Sequence, residues 1–200
     1  MSPGPAADLA CSKRSSACLR REVAPPHDAH WCCRGLSSRA NDAVPFLLEI
    51  RPMSEITVRP LQAGDHDRWD ELWRGYLTFY QTVIADEIRA VTWARLLDPA
   101  EPMKGALAIR DGVAVGLVHH IRHRSCWTVG DYIYLQDLFV DESLRGGGVG
   151  RALIEFVYAY ARSVGCARVH WLTHETNLDA MKLYDRIADR SGFVQYRKIL

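Results

Sequence analysis

The stretch DLFVDESLRGGGVGRALIEF, Asp137 to Phe156, leads from an apolar run through four glycines into an amphipathic segment. Tyr132 to Val140 is rich in aromatic and branched side chains, which suit a central strand. Beyond the glycines, Val149, Leu153, Phe156, Val157, Tyr160 and Val164 recur on one stripe of a helix, and Gly165 suits its C-terminal cap. A helix start carries about half a positive charge and several unpaired N–H groups, so a glycine turn there can bring backbone against a phosphate. Gly146, Gly147, Gly148 and Gly150 provide that turn. Arg151 stands where a dinucleotide fingerprint needs its last glycine, and no Gly-Lys-Ser/Thr follows, so neither a dinucleotide loop nor an ATP loop fits.

Upstream of this unit, Ile56 to Arg59 alternates apolar and polar residues as a half-buried strand does, and Pro60 ends it. Asp65 can cap a helix in which Trp69, Leu72, Trp73, Tyr76, Leu77 and Tyr80 share a face. A second helix is expected from Asp86 to Leu97, before Pro99. Ala106 to Arg110 and Val113 to Arg122 read as strands joined by the hairpin signal Asp111-Gly112. Downstream, Arg168 to Thr173 reads as a strand, Asn177 as the cap of a helix through Arg190, and Phe193 to Ile199 as a last strand. The predicted order is β-α-α-β-β-β-α-β-α-β. This is an α/β fold on a mixed sheet, because the strand–helix–strand end implies parallel pairing and the hairpin antiparallel pairing.

Residues 1–53 read as a leader and residues 54–200 as the domain. The leader mixes Pro, Ala, Ser, Arg and Cys without periodicity, which predicts disorder. Its acidic residues Asp8, Glu22, Asp28, Asp42 and Glu49 make it a poor transit peptide, so a cytoplasmic location is expected. With 48% apolar and 24% charged residues the composition is that of a soluble globular protein, and a net charge of +1 gives no strong pull toward nucleic acid or an anionic membrane. No apolar run approaches the ~20 residues of a membrane span. Four of the six cysteines, Cys11, Cys18, Cys32 and Cys33, fall in the leader, and their spacing implies no disulfide framework. His27, His30, Cys32 and Cys33 are good zinc ligands by type, but they match no standard finger, so no metal is expected.

The run Arg145-Gly146-Gly147-Gly148-Val149-Gly150 resembles the R/Q-x-x-G-x-G/A signature of the GNAT superfamily of N-acetyltransferases, between that family's fourth strand and third helix. NLDAMKLYDRIADRSGF, Asn177 to Phe193, is similar to the family's closing motif, and the resemblance spans residues 56–200. It implies the GNAT fold and acetyl-CoA as cosubstrate, its pyrophosphate cradled by the loop from Arg145 to Arg151 with Val149 inside it. It implies further that the thioester lies between splayed fourth and fifth strands against Leu138, Phe139 and Val140, with Leu138 the first contact. The first two helices would then cover the acceptor side, so that Trp73, Tyr76, Phe79, Tyr80 and Trp93 are candidates for its mouth, although most of the five are expected in the core. YLQDLFV, Tyr134 to Val140, is similar to the YLEDFFV strand of the diamine and thialysine acetyltransferases and to the yeast Hpa-type amino-acid enzymes. Gln136 stands where the diamine enzymes carry Glu, and an uncharged amide attracts a polyamine less well.

Acetyl transfer to an amine needs a neutral nitrogen, a polarised carbonyl and a proton for the departing thiolate. Tyr184 follows Asn177 by two helical turns, so both can face one cleft, and the resemblance makes Tyr184 the general acid. A phenol of ordinary pKa ~10 starts protonated at neutral pH. For the base, Asp137 and Glu175 stand equally, with His119, His120 and His174 behind them. Tyr132, Tyr134 and Gln136 share one strand phase, which makes Tyr134 and Gln136 acceptor contacts beside Tyr80; Asp137 has the opposite phase unless a bulge intervenes. The expected function is acetyl-CoA-dependent acetylation of a primary amine on a small molecule, an amino acid or diamine, by direct attack in a ternary complex. The alternatives are a protein or histone lysine acetyltransferase and a non-catalytic acyl-CoA-binding module. A single strand after the Tyr184 helix leaves an incomplete sheet edge, which predicts a homodimer.

Overall fold

The computed structural model describes residues 55–200. The leader, the boundary near residue 53 and the cluster of His27, His30, Cys32 and Cys33 lie outside the described residues. The elements are β1 (Ile56–Pro60), α1 (His66–Phe79), α2 (Asp86–Leu97), β2 (Met103–Arg110), β3 (Val113–His123), β4 (Tyr132–Val140), α3 (Val149–Ser163), β5 (Arg168–His170) and α4 (Leu178–Ile187). The strands form one sheet in the order β1-β2-β3-β4-β5, antiparallel except for the parallel pair β4 and β5. Asp111 (φ 51°) and Gly112 (φ 77°) both adopt positive φ, which gives the hairpin between β2 and β3 the twist that adjoining strands require.

Two apolar layers sandwich the sheet. On one face Val149, Leu153, Ile154 and Val157 of α3 pack on Ala106, Val118, Ile133 and Leu135. On the other, Trp69, Leu72, Trp73 and Leu77 of α1 pack with Leu96 of α2 on Leu107, Leu117 and Phe139. Each such fully buried aliphatic side chain contributes about 1.5–3 kcal/mol. Close approach of α3 depends on Gly116, where a Cβ would stand 2.8 Å from the Phe139 carbonyl oxygen and 3.2 Å from Val149. Among the described residues, no helix is long and apolar enough to cross a membrane.

Several expectations are corrected. The last strand, Phe193 to Ile199, does not form: the chain after Ile187 carries neither helix nor strand, and Phe193, Val194, Tyr196 and Ile199 are exposed. A strand is stable only when paired, and three-residue β5 offers little to pair with. For the same reason β5 stops at His170 rather than Thr173. Asp65 does not cap α1 with its side chain; it grips the Arg59 guanidinium at 2.6 and 2.7 Å and accepts the Gln62 N–H at 2.8 Å. Asn177 does stand at the N-cap of α4, its carbonyl accepting from the Met181 N–H at 3.1 Å, but its side chain makes no cap bond and its amide N–H donates to Thr173 Oγ1 at 3.2 Å; α4 ends at Ile187. Trp73 and Trp93 lie in the core, where most of the acceptor-side aromatics are expected, with the Trp93 ring 4.8 Å from that of buried Trp69.

Candidate active site

The turn before α3 is built from the chain itself. Asp141 accepts the Ser143 N–H at 3.2 Å, closing a short turn, and Gly146 (φ 79°) and Gly148 (φ 87°) then take left-handed conformations that L-residues avoid. The first helical bond of α3 runs from the Ala152 N–H to the Gly148 carbonyl at 3.0 Å. The N–H groups of Val149, Gly150 and Arg151 precede that ladder, which makes this helix start an anion seat. Arg145 sits over the rings of Phe79 (5.2 Å) and Phe139 (5.8 Å) and pairs with Glu142 at 3.2 Å.

A cleft of about 1240 Å³ extends from this turn. Arg145, Gly146, Gly148, Val149, Gly150 and Arg151 line it from the loop, Gln136, Leu138, Phe139 and Val140 from β4, Asn177 and Tyr184 from α4, and Tyr76 and Tyr80 from α1. Gly147, Tyr134, Asp137 and Glu175 do not line it directly. Lys182 and Arg186, which the sequence reading passed over, also line the cleft; their four-residue spacing on one face of α4 was the available signal. Pairing of β4 with β5 ends at Tyr134 and His170, so β4 from Leu135 onward has a sheet neighbour on the β3 side only. The strands part there, and a thioester can enter against the exposed edge of Leu138 to Val140. Positive-φ glycines, free helix-start N–H groups and the cations Arg145, Arg151, Lys182 and Arg186 together fit the polyanionic acetyl-CoA.

Register resolves the phase of β4. His119 pairs with Asp137 and His120 with Leu135, so Gln136 is a bulged extra residue. The bulge leaves Gln136 exposed and turns Asp137 onto the same face as Tyr134, contrary to an undistorted strand. Asp137 is 7% exposed, and the His119 Nδ1 lies 3.1 Å from its Oδ2. Burial, and after it the nearby Asp137 carboxylate, pushes the Tyr76 phenol far above its ordinary value. Glu175 is exposed in the loop after β5, and His174 turns its Nδ1 to Thr176 Oγ1 at 2.8 Å.

Tyr184 is held edge-on to Trp171, and burial, with a smaller effect of Tyr80, pushes its phenol up to about 12. The Tyr80 hydroxyl lies beside the Asn177 side chain and within reach of the Asp137 charge. Tyr80 therefore stands between Tyr184 and Asn177, in and just before α4, and the Asp137 carboxylate on β4.

The sequence model of the Acetyltransferase (GNAT) family matches residues 66–188, from the first residue of α1 to just past α4. The chain belongs to the GNAT acetyltransferase family. This acetyltransferase is 38% identical over 145 residues to the D-amino-acid N-acetyltransferase HPA3 of Saccharomyces cerevisiae, covering 72% of this chain and 90% of that one. It is 33% identical over 92 residues to the thialysine N-epsilon-acetyltransferase of Sus scrofa, 46% of this chain and 49% of that one. Its fold matches that of AAC(6')-Iy in complex with a bisubstrate analog, CoA-S-monomethyl-acetylneamine, at a TM-score of 0.64 and 20% identity, over 74% of this chain and all (100%) of the other. The ribosomal-protein-alanine N-acetyltransferase of Brucella melitensis shares the fold at 0.61 and 20% identity, over 73% of this chain and 100% of that one. The chain is an N-acetyltransferase, and GNAT acetyltransferases use acetyl-CoA.

Proposed function

We propose that this enzyme acetylates the primary amine of a small molecule, an amino acid foremost, by direct attack of the amine in a ternary complex. The observation that carries the reading is that Tyr80, in the wall of the cleft, stands close to both the carboxylate of Asp137, buried behind that wall, and the half-buried phenol of Tyr184. Acetyl-CoA supplies the acyl group as an activated thioester. The loop from Arg145 to Arg151 and the start of α3 hold its phosphates. Backbone N–H groups between Leu138 and Val140 polarise the carbonyl, a contribution on the order of 3 kcal/mol for a well-aimed donor. Asp137 accepts the amine's proton at a carboxylate oxygen, and Tyr184 keeps its hydroxyl proton available to the leaving sulfur. Asp137 is preferred to Glu175 as the base because it is buried among the acceptor-side tyrosines.

An amino-acid acceptor is supported by the likeness to the yeast D-amino-acid enzyme and by Gln136, which withholds the charge that a polyamine would seek. A panel of amino acids of both hands, diamines and histone peptides, scored for CoA release, tests this. Turnover should be fastest on amino acids, and turnover confined to peptides would overturn the reading. The enzyme is proposed to act as a homodimer, because Phe193, Val194, Tyr196, Ile199 and Leu200 expose an apolar run that a second copy would cover. Sedimentation at micromolar concentration should return twice the chain mass; a monomer would remove the claim.

A further inference from the structure

Behind Tyr76 a line of hydrogen bonds runs into the core, from Asp137 through His119 to Trp69. Its inner end is fixed by chemistry. Trp69 is wholly buried, and an indole N–H can only donate, so it needs an acceptor. It finds one in the Nε2 of His119, 2.8 Å away. A nitrogen that accepts carries no proton, so the imidazole hydrogen sits on Nδ1, where it is donated to Asp137 Oδ2 at 3.1 Å. The ring is clamped as well, because Trp73 meets it edge-on with centroids 4.9 Å apart. His119, itself 3% exposed, has one tautomer and one orientation.

The groups that bear on Asp137 are Tyr76 and Tyr80 from α1, Tyr134 from β4 and His119 from β3. The three phenols are neutral, and His119 is neutral as long as Trp69 occupies its Nε2. None of the four supplies a positive charge, although a buried carboxylate is costly without one.

We propose that His119, with its tautomer set by Trp69, is a positioning residue that holds Asp137 as an anion, so that the acceptor docks as a primary ammonium and gives its proton to that carboxylate. The inference rests on the acetyltransferase reading above. Oδ2 stays engaged by His119, and Oδ1 is the oxygen that receives the proton. One N–H bond of the ammonium breaks with its electron pair left on nitrogen, one O–H bond forms on Asp137, and the nitrogen becomes nucleophilic. The proton returns to water from Asp137 when product leaves. Selecting the neutral tautomer is what makes the device work: a charged imidazole would already pair the carboxylate and remove its attraction for the acceptor.

The test compares His119→Leu, His119→Asn, Trp69→Phe and Asp137→Asn in the full chain, with CoA affinity as the control for folding. His119→Leu should lower kcat/KM by about ten- to a hundredfold, as expected for a lost hydrogen bond to a charge, and move the acid limb of its pH profile to higher pH. Asn can still donate from near the Nδ1 position, so His119→Asn should keep the limb close to its original place. Trp69→Phe should move it in the same direction as His119→Leu, by less. A profile unmoved by His119→Leu and Trp69→Phe, while Asp137→Asn abolishes turnover, overturns the proposal and leaves the base assignment standing. Full turnover by Asp137→Asn overturns both.

Discussion

The ring of Tyr184 meets that of Trp171 edge-on, with centroids 5.4 Å apart and planes at 67°. Trp171 follows β5 and Tyr184 lies in α4, so this contact sets where the phenol points into the cleft. Burial raises Tyr184 to about 12, which keeps the proton on the hydroxyl throughout the physiological range. Tyr184→Phe preserves the ring contact and removes the proton. It should reduce kcat by roughly 10²- to 10⁴-fold while CoA affinity, measured by calorimetry, is unchanged. A phenylalanine enzyme of normal kcat would remove Tyr184 from the chemistry.

Gly148 caps α3 at φ 87°, and a Cβ there would meet nothing closer than Ile56 Cδ1 at 4.0 Å. Steric room exists, so substitution acts through backbone strain of about 1–2 kcal/mol and through whatever the side chain brings to the anion seat. Gly148→Ala should lower stability by that amount and weaken CoA binding modestly. Gly148→Glu adds a like charge at the helix start and should weaken CoA binding by about a hundredfold, near 3 kcal/mol, with a melting temperature close to that of the alanine variant. Equal CoA affinity for the two variants would show that the phosphates are held elsewhere.

His120 lies beside Asp137's strand but faces the other layer, 2% exposed and packed on Tyr160. Burial lowers it to about 4 from an ordinary 6.5, with smaller contributions from His119 and Lys104. The folded state therefore resists protonation that the unfolded chain accepts. Its contribution to stability is complete above pH 6.5 and is lost as pH falls toward 4, to a total on the order of 3 kcal/mol. His120→Leu should flatten the decline in urea-unfolding free energy between pH 7 and pH 4.5. An equally steep decline in the variant would place the acid sensitivity in the carboxylates.

How much of this was legible in the sequence follows the range of each interaction. The glycine turn and the stripe of α3 were readable because periodicity and φ preference are local. Asp137 was not assignable, because its facing depends on the bulge at Gln136, and the bulge is set by pairing with β3. Trp69 and His119 are 50 positions apart, and nothing in either neighbourhood announces their bond. Phe193 to Ile199 has the composition of a strand, but composition cannot supply the neighbour that a strand must pair with. Lys182 and Arg186 are legible as a helical pair at four-residue spacing, but only the folded cleft shows that they face the same space as the glycine turn.

Gln136 offers a test of specificity because the bulge exposes its side chain in the wall of the cleft while Asp137 turns inward. Gln136→Glu adds a second negative charge on the acceptor side without changing side-chain size. An exposed charge interacts through water, so its pull on a distal ammonium is about 1 kcal/mol and is screened by salt. The ratio of kcat/KM for a diamine over a neutral amino acid should therefore rise about fivefold at low ionic strength. The gain should appear in KM, because the distal charge is bound equally before and during reaction, and it should shrink at high salt. An unchanged ratio at low salt would mean that the acceptor does not reach Gln136. A gain confined to kcat would mean that residue 136 takes part in the proton transfer itself.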